Sequence, residues 1–166
     1  MGRPKENKLV EEGVVIPYAR SWLETPSGEF EFFYPKELKW ECKKCGSCCC
    51  DAQHRPRRIL LLSADVERLE KNGMNDLTIK VIGEEPFIAQ MKKSKGVCIN
   101  LTPTGCRVYL QRALLCRMYP FWVEREKRSF EIMVDTRCPG MGLGSELNEG
   151  FFRELISAAI AQRGEI

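Results

Sequence analysis

The sequence predicts an α+β fold: a small, single, cysteine-rich domain with a β-hairpin and a C-terminal helix. Three observations predict it. Phe30-Glu31-Phe32-Phe33-Tyr34 alternates as a half-buried strand does. The runs Phe121 to Arg125 and Phe130 to Val134 flank Glu126-Lys127-Arg128, which reads as a hairpin turn. Phe151, Phe152, Leu155, Ile156 and Ile160 then recur at helical spacing. A length of 166 residues suits one domain of ordinary size, expected as an N-terminal arm over 1–29 followed by a cysteine-cluster domain over 30–166.

In chain order, the stretch to Glu24 mixes charges with Gly13 and Pro17 and reads as a loosely attached arm, closed by the turn signal Thr25-Pro26-Ser27-Gly28. Arg57 to Leu62 reads as a short buried strand. Ser63 then follows as an N-cap, with Asp65 suiting the helix dipole and Gly73 stopping the helix. Pro86 to Lys95 is ambiguous, with one more short helix as one reading. Cys98 and Cys106 flank the turn-rich Thr102-Pro103-Thr104-Gly105, and a helical turn or two is expected over Val108 to Leu115. Cys138-Pro139-Gly140-Met141-Gly142-Leu143-Gly144 reads as a glycine-rich loop.

Composition excludes several classes. The hydrophobic fraction of 43% supports a core and the charged fraction of 30% a solvated surface, so neither disorder nor a fibre is indicated. A net charge of +3, from 26 basic against 23 acidic residues, gives little support to nucleic-acid binding. Apolar stretches such as Ile59 to Leu62 and Ala158 to Ala161 fall far short of a membrane span. No long apolar stretch follows the charged N-terminus, so no secretory signal is expected. The nine cysteines are therefore expected in a reducing cytoplasm, where clustered thiols act as metal ligands or redox groups. The odd count also argues against complete disulfide pairing.

Cys42-Lys43-Lys44-Cys45-Gly46-Ser47-Cys48-Cys49-Cys50 is the strongest signal in the chain. Two residues between cysteines let the chain turn so that both sulfurs face one point. Gly46 relieves crowding where the backbone bends. Lys43 and Lys44 supply positive charge to thiolates. Zinc knuckles usually use two separated Cys-x-x-Cys pairs, whereas here there is one compact cluster and the other cysteines are dispersed. The spacing of Cys42, Cys45 and Cys48 matches the first three ligands of a bacterial ferredoxin-type cluster, and Cys138-Pro139 fits the distant fourth. An iron–sulfur cluster of the 4Fe-4S kind is the leading cofactor, with zinc as the alternative. Adjacent cysteines of an extended chain point apart, so Cys48 and Cys49 are expected to serve different sites. Cys49, Cys98, Cys106 and Cys116 would form a second set, with Cys50 a spare thiol.

The combined pattern resembles the YkgJ-type cysteine-cluster (CxxCxxCC) family. It is carried by Cys42, Cys45, Cys48 and Cys49, then Cys98, Cys106-Arg107-Val108-Tyr109, Cys116-Arg117-Met118-Tyr119-Pro120-Phe121 and Cys138, spanning Cys42 to Gly144. Arg112 falls where that family places an arginine. The family continues with proline where this chain has Ala113, and Cys50 is additional. The resemblance implies zinc or iron chelation. A similar cysteine pattern occurs in flagellin lysine N-methylases.

Other residues weigh less. His54, the only histidine, is expected at the surface because thiols are plentiful nearby, and Cys50 is expected to be a spare thiol rather than half of a nucleophilic pair. Arg55, Arg57, Arg58, Arg107, Arg112 and Arg117 either offset thiolate charge, hold an anionic partner, or are solvated and ion-paired. Tyr119-Pro120-Phe121-Trp122 is expected to pack in a core rather than form a docking patch. The glycines after Pro139 lack the strand–turn–helix and downstream acid of a nucleotide site. The expected function is a metal-binding protein serving electron transfer, or supporting a redox or methyl-transfer enzyme as protein partner. A zinc-stabilised interaction module and a metal carrier or assembly factor are the alternatives. Neither a catalytic residue nor an enzyme activity is assigned.

Overall fold

The computed structural model describes residues 16–52 and 56–163, in two compact units. The chain begins in the first unit, leaves it after Lys43, builds the second from Lys44–Tyr119, and returns to the first from Pro120 onward. The class is α+β, with mixed and antiparallel sheets and a long closing helix.

The first unit opens with a hairpin of β1 (Tyr18–Thr25) and β2 (Gly28–Pro35), paired residue for residue. The Thr25 hydroxyl closes its turn, donating to the Gly28 carbonyl at 2.9 Å and accepting from the Ser27 amide at 3.2 Å. Much of the stretch expected as a loose arm is thus a full strand. Its own sequence is too polar to announce this; Phe30 and Phe32 across the ladder supply the apolar partners, and Leu23 is buried among them. Residues 1–15 lie outside the described residues. The short strand β3 (Lys39–Trp40) ends this part.

The second unit starts with a 3₁₀ turn over Ser47–Cys49. Next come β4 (Leu60–Leu61), α1 (Ser63–Lys71), β5 (Thr78–Lys80) and β6 (Ala89–Met91), the three strands pairing antiparallel in the order β4-β6-β5. Pro86 to Lys95 holds no helix: β6 is followed at once by β7 (Lys93–Ser94), because neighbouring strands offer its backbone ladder partners that a local reading cannot see. β7 pairs with β8 (Val97–Cys98), and β9 (Leu101–Thr102) pairs with β10 (Gly105–Cys106) around the expected turn. A 3₁₀ turn at Tyr109–Gln111 leads into α2 (Leu114–Met118).

Ser63 is the first helical residue of α1 rather than its cap; the cap position is Leu62, and Asp65 reaches back to accept from the Leu62 amide at 3.2 Å. Ile59, Leu61, Leu69, Leu77, Ala89, Met91, Cys98, Val108 and Ala113 form this unit's core.

The returning chain adds β11 (Phe121–Glu126), β12 (Ser129–Val134), β13 (Met141–Glu146) and α3 (Glu149–Arg163). The hairpin of β11 and β12 is as expected, and β12 runs parallel to β2, giving a mixed sheet β1-β2-β12-β11. The glycine-rich segment after Pro139 is largely strand: β13 pairs with β3 across a register shift. Phe121, Phe151, Phe152 and Trp40 interlock with ring centroids 5.2–6.4 Å apart, mostly edge to face. α3 buries Phe152, Ile156 and Ala159. Phe121 is thus core, as expected, while Trp122 stays largely exposed.

Candidate metal centre

All nine cysteines are free thiols. In the second unit the 3₁₀ turn carries Cys48 and Cys49, with the Cys49 amide donating to the Gly46 carbonyl at 2.9 Å. Gly46 adopts φ +77°, and a Cβ there would lie 2.8 Å from Leu101 Cδ1, so glycine is what lets the turn close over the β9–β10 hairpin. β8 ends in Cys98, β10 in Cys106, and α2 carries Cys116 in its middle.

These five thiols share one environment. Cys98 belongs to the unit's apolar core, and Cys49, Cys106 and Cys116 pack against that core. The Cys49 thiol donates to Cys48, which holds Cys48 well below the ordinary thiol range and pushes Cys49 far above it. The 3₁₀ turn therefore brings the adjacent pair together, where an extended chain would have sent them apart. Burial pushes Cys116 up to about 12, with the charges of Cys48, Cys98 and Cys106 adding to it. Cys106 is raised for the same first reason, burial, with Cys98 and Cys48 contributing.

The other predicted ligands are Cys42, Cys45 and Cys138. Cys45, in the second unit, is exposed and pairs with the Ser47 hydroxyl at 3.3 Å, which lowers its pKa. Cys42 and Cys138 belong to the first unit. There the Trp40 indole N–H donates to Cys138 Sγ at 3.4 Å, and the Glu41 amide bonds the Gly140 carbonyl at 3.2 Å. Cys50 pairs its backbone with Val97. His54 and Arg55 lie outside the described residues.

The arginines divide by role. Arg58 is ion-paired with Glu84 through both guanidinium nitrogens, at 2.8 and 2.6 Å. Arg107 donates twice to the buried Asn100 side chain, at 3.2 and 3.1 Å. Arg57 and Arg112 lower the Cys48 thiol by their positive charge. Arg112 also acts on Cys106 and Cys116, and its guanidinium stacks 3.7 Å from the Tyr109 ring, with Lys44 Nζ 5.0 Å from the same ring.

No three His, Cys, Asp or Glu side chains among the described residues stand close enough, as placed, to hold a metal ion. The donor chemistry nonetheless fits one. The set is all thiol, which suits zinc and iron–sulfur clusters alike; the hydrogen bond from Cys49 lowers Cys48 toward the thiolate form that a metal needs; and Arg57 and Arg112 supply the counter-charge that a thiolate-rich centre needs.

Local sequence did not reveal the Trp40–Cys138 bond, the cations flanking Tyr109, or the contacts of Asp65. The Trp40–Cys138, Lys44–Tyr109 and Asp65–Leu114 contacts join segments distant along the chain. Trp40 stands two residues before Cys42, which is the one adjacent signal.

An α+β fold holding thiols from a 3₁₀ turn, two strand ends and a short helix defines the class: a cysteine-cluster protein. The chain belongs to the CxxCxxCC family, described as a "Putative zinc- or iron-chelating domain", which it matches over residues 41–139. It is also similar to the uncharacterised protein MJ0661 of Methanocaldococcus jannaschii, with 24% identity over 127 residues, covering 72% of this chain and 68% of the relative. No solved structure matches the chain. No helix among the described residues is long and apolar enough to cross a membrane.

Proposed function

We propose that this protein carries an iron–sulfur cluster and works in a reducing cytoplasm, in electron transfer or in support of a redox or methyl-transfer enzyme. The observation that carries the reading is the grouping of Cys48, Cys49, Cys98, Cys106 and Cys116 in one unit, under the positive field of Arg57 and Arg112. Cys42, Cys45 and Cys138 add the ferredoxin-type spacing with its late Cys-Pro. Bound to such thiolates, a cluster supplies one-electron transfer, while the chain's own residues hold the sulfurs, offset their charge and limit water through the apolar core behind them. The cysteine pattern shared with flagellin lysine N-methylases supports methyl transfer as one setting.

A specific observation favours zinc as the second reading. Cys49, Cys98, Cys106 and Cys116 all belong to or pack against one apolar core, and four cysteine sulfurs are the make-up of a structural zinc site.

Protein purified without oxygen decides between them by its absorption spectrum with iron, zinc and acid-labile sulfide analysis. Broad visible absorption with iron and sulfide is the expected result. Stoichiometric zinc without that band replaces the redox reading with a structural one, and absence of any bound metal overturns both.

A further inference from the structure

Asp65 is 1% exposed, and its carboxylate is not part of the thiol group. Its Oδ2 accepts from the Leu62 amide at 3.2 Å, capping its own helix α1. Its Oδ1 accepts from the amide of Leu114, the first residue of α2, at 3.1 Å, forty-nine residues further along the chain. The same Oδ1 holds the Arg68 guanidinium at 2.5 Å. Arg68 Nη2 then donates to the Arg112 carbonyl at 2.8 Å.

One ion pair, with its carboxylate buried and its guanidinium partly exposed, thus grips the backbone on both sides of Ala113, itself fully buried. That segment matters for two reasons. α2 is only five residues long, so it has little hydrogen bonding of its own to fix its direction. It also carries Cys116, while Arg112 at its threshold sets the charge around Cys48, Cys106 and Cys116. A carboxylate at the start of so short a helix satisfies an amide that would otherwise be buried without a partner. A buried charge is retained only where its hydrogen bonds are complete, and here three donors complete them.

We propose that Asp65 and Arg68 are positioning residues for the metal centre, holding Arg112 and Cys116 in the places from which they serve it. The inference rests on the metal-binding reading above. Neither residue touches the metal; both act through the backbone of residues 112–114, as the outer hydrogen bonds of a metal site act through its ligands.

The test uses the full chain, stripped of metal and titrated with cobalt(II), whose thiolate charge-transfer band reports how many sulfurs bind each ion. Wild type, Asp65→Asn, Arg68→Gln and, as a control, Leu69→Ala are compared. Leu69 is buried on the same helix and packs in the same core. Both clamp variants are expected to lose charge-transfer intensity per bound cobalt, as Cys116 drops out, and to weaken affinity by about ten- to a hundredfold. Leu69→Ala is expected to lower stability and leave the band per bound cobalt unchanged. Wild-type intensity and affinity in Arg68→Gln overturns the positioning role even if Asp65→Asn does not fold. An equal loss of intensity in Leu69→Ala overturns it too, since general loosening then explains the effect. Wild type that holds no metal as purified and takes up no cobalt through sulfur overturns the metal reading itself, which separates the two failures.

Discussion

A Cβ on Gly140 would lie 2.2 Å from the carbonyl oxygen of Glu41. The two backbones are this close because the Glu41 amide donates to the Gly140 carbonyl at 3.2 Å where β3 meets β13. Cys138 stands two residues before this contact and Cys42 directly after it, so the crossing lies beside both cysteines along the backbone of the first unit.

Gly140→Ala is accordingly expected to push β13 away from β3 and destabilise the protein by about 1–3 kcal/mol, the usual cost of overpacking. Urea denaturation followed by tryptophan fluorescence checks this, since Trp40 lies in the crossing and bonds Cys138. A midpoint equal to wild type would mean that the backbone yields without cost.

Gly46 combines two constraints that mutation can separate. Its positive φ strains any other residue by about 1–2 kcal/mol, and the clash with Leu101 adds steric cost. Gly46→Ala should therefore displace the Ser47–Cys49 turn and reduce metal retained on purification. The double variant with Leu101→Ala should recover part of that loss, because it removes the clash and leaves the strain. Metal content of the two variants, measured in parallel, checks the order; a double variant with less metal than Gly46→Ala would contradict it.

The grouping of thiols predicts which cysteines matter. Cys98→Ser and Cys116→Ser should each abolish most bound metal, while Cys50→Ser should retain it. Metal analysis of purified variants is the check, and equal loss in Cys50→Ser would move that residue into the ligand set. Stripping metal from wild type should lower its thermal midpoint, because binding free energy is then lost from the folded state.

Acid sensitivity should trace in part to Glu149. The Ser21 hydroxyl, bonded to its carboxylate at 2.7 Å, and then Arg153 hold its pKa below the ordinary glutamate range. A carboxylate depressed in the folded state contributes stability above its unfolded pKa and loses it as pH falls through the folded one. Stability of wild type should thus decline on acidification below the ordinary glutamate pKa, and Glu149→Gln should show a shallower decline over that window. Denaturant midpoints over a pH series measure the two slopes; identical slopes would show that the bonds to Ser21 and Arg153 do not distinguish folded from unfolded protein.

Local physics was sufficient for much of this protein. The alternation of Phe30 to Tyr34, the paired runs about Glu126-Lys127-Arg128 and the helical spacing of Phe151 to Ile160 each set a strand, a hairpin and a helix, because periodicity alone determines which side chains share a face. The family could also be read from Cys42 to Cys138, since spacing and residue type carry that pattern. What required the tertiary structure depends on partners far away in sequence. β1 is a strand because β2 offers it an apolar ladder. Residues after Pro139 form β13 because β3 lies beside them. Cys48 is lowered and Cys49 raised because a 3₁₀ turn, closed over Leu101 through Gly46, makes neighbouring thiols interact. Asp65, which the sequence presents as a helix-dipole residue, reaches Leu114 because folding buries both against one core, and a buried amide and a buried carboxylate each need the other.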